Sequence, residues 1–170
     1  IVIPTVEGLK KDNIPYVGFI FIGLMNVGGD PYVIEYNVRM GDPETEVVLP
    51  RIESDFLKLL AAVGSMQLGD EELKISEETA VTVMSVAGGY PEAYEKGMEI
   101  RGLNEVEEAI VFHAGTKIDG DKILTNGGRV YATTAMAADR EEALRKAYKA
   151  ISKTDFQDRY YRKDIGFDLC

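Results

Sequence analysis

The stretch from Tyr16 to Glu44 constrains this chain most: an apolar run, a glycine turn and a run of alternating polarity follow one another as in an antiparallel hairpin. Tyr16-Val17-Gly18-Phe19-Ile20-Phe21-Ile22-Gly23-Leu24-Met25 is apolar toward both faces of a strand, which predicts a central strand with neighbours on either side. Asn26-Val27-Gly28-Gly29-Asp30-Pro31 is a turn that folds the next strand back onto it. That next strand, Val33-Ile34-Glu35-Tyr36-Asn37-Val38-Arg39-Met40, reads as buried and breaks into the acidic turn Gly41-Asp42-Pro43-Glu44. Successive side chains on a strand point to opposite faces, so Glu35, Asn37 and Arg39 are expected on one face and Ile34, Tyr36 and Val38 on the other.

Two readings of the polar face follow. A carboxylate and an amide carbonyl about 7 Å apart along a strand can supply oxygen ligands to a hard cation such as Mg2+, which in turn bridges to phosphate oxygens. The guanidinium beside them has the fork geometry that pairs with carboxylate or phosphate. The other reading is a solvated face without chemistry, since Glu-x-Asn on a strand is common. Adjacency to a strand that looks central favours a cleft.

The rest of the chain divides in two, residues 1–68 and residues 69–170, with the seam in Gly64 to Lys74, where Gly64, Gly69 and Asp70-Glu71-Glu72 interrupt the apolar pattern. The first part reads as a short helix or loop around Val6 to Asn13, the two strands, and helical segments around Thr45 to Leu49 and Asp55 to Val63, interrupted by Pro50. Asp55 stands where a helix cap belongs, ahead of Phe56, Leu57, Leu59 and Leu60. In the second part Thr79 to Val86, Ala109 to His113, Lys122 to Leu124 and Arg129 to Ala135 read as strands of one small, mostly antiparallel sheet. Ala143, Leu144, Ala147, Tyr148 and Ile151 form the stripe of a helix that should pack on that sheet, and Asp139 with Glu142 has capping-box spacing.

Of the 170 residues 45% are hydrophobic and 28% charged, and no apolar run approaches a membrane span, so a globular protein without a membrane partner is expected. A net charge of −10 argues against a nucleic-acid surface. The only cysteine is Cys170, which excludes an internal disulfide and makes the cytoplasm the expected location. His113, the only histidine, follows Ile110-Val111-Phe112 and reads as structural. Gly28-Gly29, Gly88-Gly89 and Gly127-Gly128 lack a P-loop lysine and read as turns. At Gly127-Gly128-Arg129 a turn and an anion contact through Arg129 are equally compatible with the residues.

Gly18 to Met25, then Val33 to Glu44, then Arg51-Ile52-Glu53-Ser54-Asp55, resemble the last part of the ATP-grasp domain of the phosphoribosylamine–glycine ligase family, also called glycinamide ribonucleotide synthetase. Ser85-Val86-Ala87-Gly88-Gly89-Tyr90-Pro91, Lys96-Gly97, Val111-Phe112-His113-Ala114-Gly115-Thr116, Gly127-Gly128-Arg129-Val130 and Tyr161-Arg162-Lys163-Asp164-Ile165-Gly166 resemble that family's C-terminal domain, in the family's order. Glu-x-Asn alone recurs across ATP-grasp enzymes. The ordered combination with His-Ala-Gly-Thr and Gly-Gly-Arg-Val is specific to this ligase.

The resemblance implies an α+β fold: an antiparallel-sheet remnant of an ATP-grasp domain followed by a small, mostly antiparallel β-rich domain with a packed helix. It implies an ATP-dependent carbon–nitrogen ligase that joins glycine to 5-phosphoribosylamine through a glycyl phosphate in purine biosynthesis, with ATP as co-substrate and Mg2+ or Mn2+ as cofactor. Glu35 and Asn37 match the family's metal ligands, and Arg39 a catalytic residue near the transferred phosphate. Asp42, Pro43 and Glu44 match the acceptor-substrate loop, and Arg129 a further substrate contact. The chain is short for that enzyme and opens without methionine, so a C-terminal fragment is expected, inactive alone and able to self-associate through apolar surface. A non-catalytic metabolite-binding or assembly domain retaining the ATP-grasp remnant is the competing reading. A ligase for another acceptor is a lesser one, opposed by the C-terminal motifs.

Overall fold

Gly28 and Gly29 occupy a two-residue turn, at φ +63° and +101°, and the Gly29 amide donates to Asn26 Oδ1 at 2.9 Å. Positive φ at both turn residues matches the twist of the strands they join and costs glycine no steric penalty. The turn links β1 (Phe21–Val27) to β2 (Asp30–Asn37) in a two-stranded antiparallel sheet. Ahead of it runs α1 (Val2–Lys11), where the sequence suggested a short helix or loop from Val6. The computed structural model describes residues 1–169. These fall into two compact units, Ile1–Thr45 with Ile52–Ile75, and Glu46–Arg51 with the chain from Ser76 onward.

In the first unit the hairpin departs from expectation. The strand expected from Tyr16 to Met25 starts only at Phe21, because Gly18 at φ +146° breaks the extended run and the Tyr16 hydroxyl donates to the Phe19 and Val38 carbonyls instead. It is not central: among the described residues β1 pairs with β2 alone, and Leu24 and Met25 are 49% and 53% exposed. Nor is β2 buried, with Ile34 62% exposed. β2 ends at Asn37, so Arg39 lies past the strand in a bend rather than continuing the alternation. The hairpin ladder also slips between Gly23 and Leu24, opposite Ile34.

Further on, α3 (Phe56–Gly64) starts where the cap was expected, the Asp55 carboxylate accepting the Lys58 amide at 3.0 Å. Leu59 and Ala62 are its buried residues. The stretch after it folds back: Ser54 Oγ donates to the Glu72 carbonyl and accepts the Lys74 amide, and Lys58 pairs with Glu71 at 2.6 Å. In sequence the short helix α2 (Thr45–Val48) comes between the hairpin and α3, and all of it but Thr45 belongs to the second unit.

The second unit holds most of the core. β3 (Thr79–Val86), β4 (Ile110–His113) and β7 (Arg129–Ala137) form an antiparallel sheet in the order β3-β7-β4, while β5 (Thr116–Asp119) and β6 (Lys122–Thr125) form a separate hairpin. The expected single sheet is therefore two. Thr116-Lys117-Ile118-Asp119, with one apolar residue, carries no strand signal in the sequence, yet it gives Lys122–Thr125 its partner through the Gly120-Asp121 turn.

α4 (Arg140–Ile151) packs on β3 and β7 as the stripe predicts: Ala143, Ala147 and Ile151 are buried against Val81, Val83, Ala135 and Ala137. Small side chains on the helix let it approach the sheet closely. Half of the capping box forms. Asp139 Oδ1 accepts the Glu142 amide at 2.8 Å, but the Glu142 carboxylate turns to Arg145 instead of reaching back. Beyond α4, Arg159 Nη1 donates to the Ile151 carbonyl, Thr154 Oγ1 and the hydroxyl of fully buried Tyr131, satisfying the end of the helix.

Candidate metal and phosphate site

β2 brings Glu35 and Asn37 together on one face, with Asn37 Nδ2 donating to Glu35 Oε1 at 2.9 Å. Two residues apart on a strand they share that face by the pleat alone. Their cross-strand partners complete the surface: Gly23 stands opposite Glu35 and Phe21 opposite Asn37. A β-carbon at Gly23 would meet Glu35 Cγ at 3.0 Å, so the bare glycine opens the floor beneath the carboxylate.

The acidic turn folds back onto the same hairpin. Gly41 is buried, and a β-carbon there would overlap the Glu44 carboxylate and stand 2.9 Å from Phe21 Cε2. The Gly41 carbonyl accepts from both the amide and the hydroxyl of Thr45, which ties the turn to the start of α2. The Asp42-Pro43 peptide is cis. Phe21, on the first strand, is thereby shared between the hairpin and the loop carrying Glu44.

The structure places the residues singled out by sequence as follows. Glu35, Asn37 and Glu44 belong to this hairpin-and-turn surface, and Asp42 and Pro43 to the turn itself. Arg39 follows the strand, with Nη1 donating to the Met40 carbonyl at 3.0 Å. Arg129 opens β7 in the second unit, half buried and opposite Val86. There Gly115 and Gly127 approach closely, and exposed His113 contacts Thr116 Oγ1 through Nδ1 at 3.1 Å. Gly23 and Phe21 carry no site signal in the sequence reading, whereas Gly41 belongs to the turn singled out there. A lone glycine inside an apolar strand was the available signal, since it marks a bulge or a close approach.

The donor set suits a hard cation. Both side chains offer oxygen, the pair is solvent-accessible, and their mutual hydrogen bond already holds them side by side. Among the described residues no three His, Cys, Asp or Glu side chains gather to form a complete cage. Mg2+ is typically held by one or two carboxylates with water and substrate phosphates supplying the rest of an octahedron, and an amide oxygen beside the carboxylate adds a further hard donor.

Residues 1–45, which hold this hairpin and its acidic turn, match the family model for the phosphoribosylglycinamide synthetase ATP-grasp (A) domain. Residues 80–168 match the phosphoribosylglycinamide synthetase C domain, and the chain belongs to that family. It is 45% identical over 163 residues to the phosphoribosylamine–glycine ligase of Caldanaerobacter subterraneus subsp. tengcongensis, covering 96% of this chain and 39% of that protein. It is 42% identical over 166 residues to the trifunctional purine biosynthetic protein adenosine-3 of Gallus gallus, covering 96% of this chain and 17% of that one. The crystal structure of the Thermotoga maritima phosphoribosylamine–glycine ligase superposes with a TM-score of 0.83 at 40% identity, covering 94% of this chain and 40% of that chain. The chain thus spans about two-fifths of the length of the single-function relatives it matches.

Proposed function

We propose that this chain is the part of a phosphoribosylamine–glycine ligase that presents one side of its metal and phosphate site, in residues 1–68, together with the C-terminal domain, in residues 69–170. The observation that carries this reading is the 2.9 Å pairing of Asn37 with Glu35 on the hairpin of the family's ATP-grasp segment. In the complete protein, a glycine carboxylate oxygen attacks the γ-phosphorus of ATP, the bond to the bridging oxygen breaks, and ADP leaves. The amine of 5-phosphoribosylamine then attacks the carbonyl carbon of the acyl phosphate, loses a proton and expels phosphate, giving glycinamide ribonucleotide.

The barrier in such a sequence lies in aligning anions and balancing their charge, which needs no protein nucleophile. Glu35 and Asn37 would hold Mg2+ or Mn2+, which when bound neutralises phosphate charge. Arg39, a fixed cation just past the strand, neutralises charge on the transferred phosphoryl group. Asp42, Pro43 and Glu44 shape the acceptor end, where a carboxylate can orient an ammonium or amine. Arg129 contributes a further anion contact. A cytoplasmic location is part of this reading, in keeping with a single cysteine and no internal disulfide.

Joined to the length its relatives carry, the protein is expected to form ADP in a glycine-dependent way, turning over when phosphoribosylamine is also supplied, and Glu35→Gln is expected to abolish most of that ADP formation. Equal ADP release with and without the two acceptors would overturn the ligase reading. The chain by itself should make no product, and its exposed apolar side chains should drive self-association visible by light scattering.

A further inference from the structure

We propose that Gly23 is a positioning residue for the divalent cation, its missing side chain being what lets the Glu35 carboxylate lie beside Asn37. This rests on the reading of Glu35 and Asn37 as cation ligands. Gly23 faces Glu35 directly across the hairpin, and an added β-carbon would stand 3.0 Å from Glu35 Cγ and 3.7 Å from the Glu35 carbonyl oxygen. Carbon atoms rest at about 3.5–4.0 Å from one another, so a methyl group at this position must displace the glutamate.

The displacement falls on the carboxylate and not on the fold. Glu35 is exposed, and the Asn37 amide is its hydrogen-bond partner, so the side chain can swing outward without parting the strands. Backbone conformation supplies no competing reason for glycine here, because Gly23 is not among the residues at positive φ. By strand propensity alone alanine would be at least as good, since glycine in a strand interior loses more conformational entropy on folding. Space is the remaining reason.

The register carries the same geometry. The ladder slips between Gly23 and Leu24, leaving Ile34 unpaired immediately before Glu35, and bulges re-aim the side chains next to them. Mg2+ tolerates little error, with ligands at about 2.0–2.1 Å in a near-octahedral shell. A glutamate made to give way by even a few tenths of an ångström presents its carboxylate less favourably to an ion held by the Asn37 carbonyl oxygen.

The test titrates the 15N-labelled chain with Mn2+ and follows paramagnetic broadening of side-chain amides. In the parent, the Asn37 Nδ2 resonances should broaden ahead of the other asparagine and glutamine amides. In Gly23→Ala the same broadening should require roughly tenfold more Mn2+, the lower end of what loss of an orienting contact costs a metal site. Amide dispersion and the urea midpoint should stay unchanged or rise. Gly8→Ala, with open space around its added β-carbon, should leave the titration alone.

Equal broadening of Asn37 in Gly23→Ala and the parent would remove the role of Gly23 while leaving the ligands in place. Lost dispersion in Gly23→Ala would also count against it, since the clash would then have been absorbed by the fold. If Asn37 in the parent broadened no earlier than other amides, the cation reading would fail and the Gly23 role with it.

Discussion

At the scale of single residues, the second unit depends on backbone approaches that admit no side chain. Gly102 has φ +76°, and a β-carbon there would overlap the Lys153 carbonyl. Gly115 lies against Gly127, where an added β-carbon would stand 2.7 Å from the Gly127 α-carbon. Overpacking of this kind costs about 1–3 kcal/mol, and backbone cannot swing aside as Glu35 can. Gly102→Ala should therefore lower stability by at least that much in urea denaturation, and Gly115→Ala within that range. Of these glycines the sequence singles out only Gly127, as part of a pair that reads as a turn or an anion contact. Which glycines touch backbone across the fold is a tertiary fact that no local spacing carries. Arg159 escaped for a similar reason: it adjoins the surface run Tyr160-Tyr161-Arg162-Lys163, yet its side chain is only 11% exposed and spans from Tyr131 to the end of α4.

At the scale of elements, α4 was the most legible segment, because cap, stripe and length all agree with one another. Asp139→Ala should cost about 1 kcal/mol of thermal or denaturant stability, and Asp139→Asn much less. Glu142 adds a pH dependence. Its hydrogen bond from Arg145, assisted by the charges of Arg145 and Lys146, holds the carboxyl below its ordinary range. A pKa lowered on folding stabilises the native state above the unfolded value, and that gain disappears as pH falls through the lowered range. The stability difference between the parent and Glu142→Gln should thus be present at neutral pH, shrink on acidification, and be smaller at high salt because the pair is exposed. An increasing difference toward acid pH would contradict this. The hairpin, by contrast, was legible in its turn and in the shared face of Glu35 and Asn37, but not in its burial. Apolar residues on both faces imply neighbours, and the described residues give β1 one neighbour only.

For the molecule as a whole, buried apolar residues are distributed unevenly. The second unit has Val83, Val130, Tyr131, Ala143, Ala147 and Ile151 essentially inaccessible, whereas in the first the buried hydrophobic residues are Leu59 and Ala62. A two-stranded hairpin with little core is marginal by itself. Amide hydrogen exchange should accordingly be slowest in β7 and α4 and fast throughout β1 and β2. Protection of the hairpin equal to that of β7 would show that it draws stability from elsewhere. The position of β7 between β3 and β4 also has a consequence in time. Thr82 and Thr134, whose hydroxyls hydrogen bond across β3 and β7, are 52 residues apart. On a ribosome that delivers the chain from its amino end, β3 and β4 emerge before the strand that must lie between them. Until β7 leaves the exit tunnel, both keep unpaired edges facing solvent, and the sheet closes late in synthesis, in one step, as its middle strand arrives.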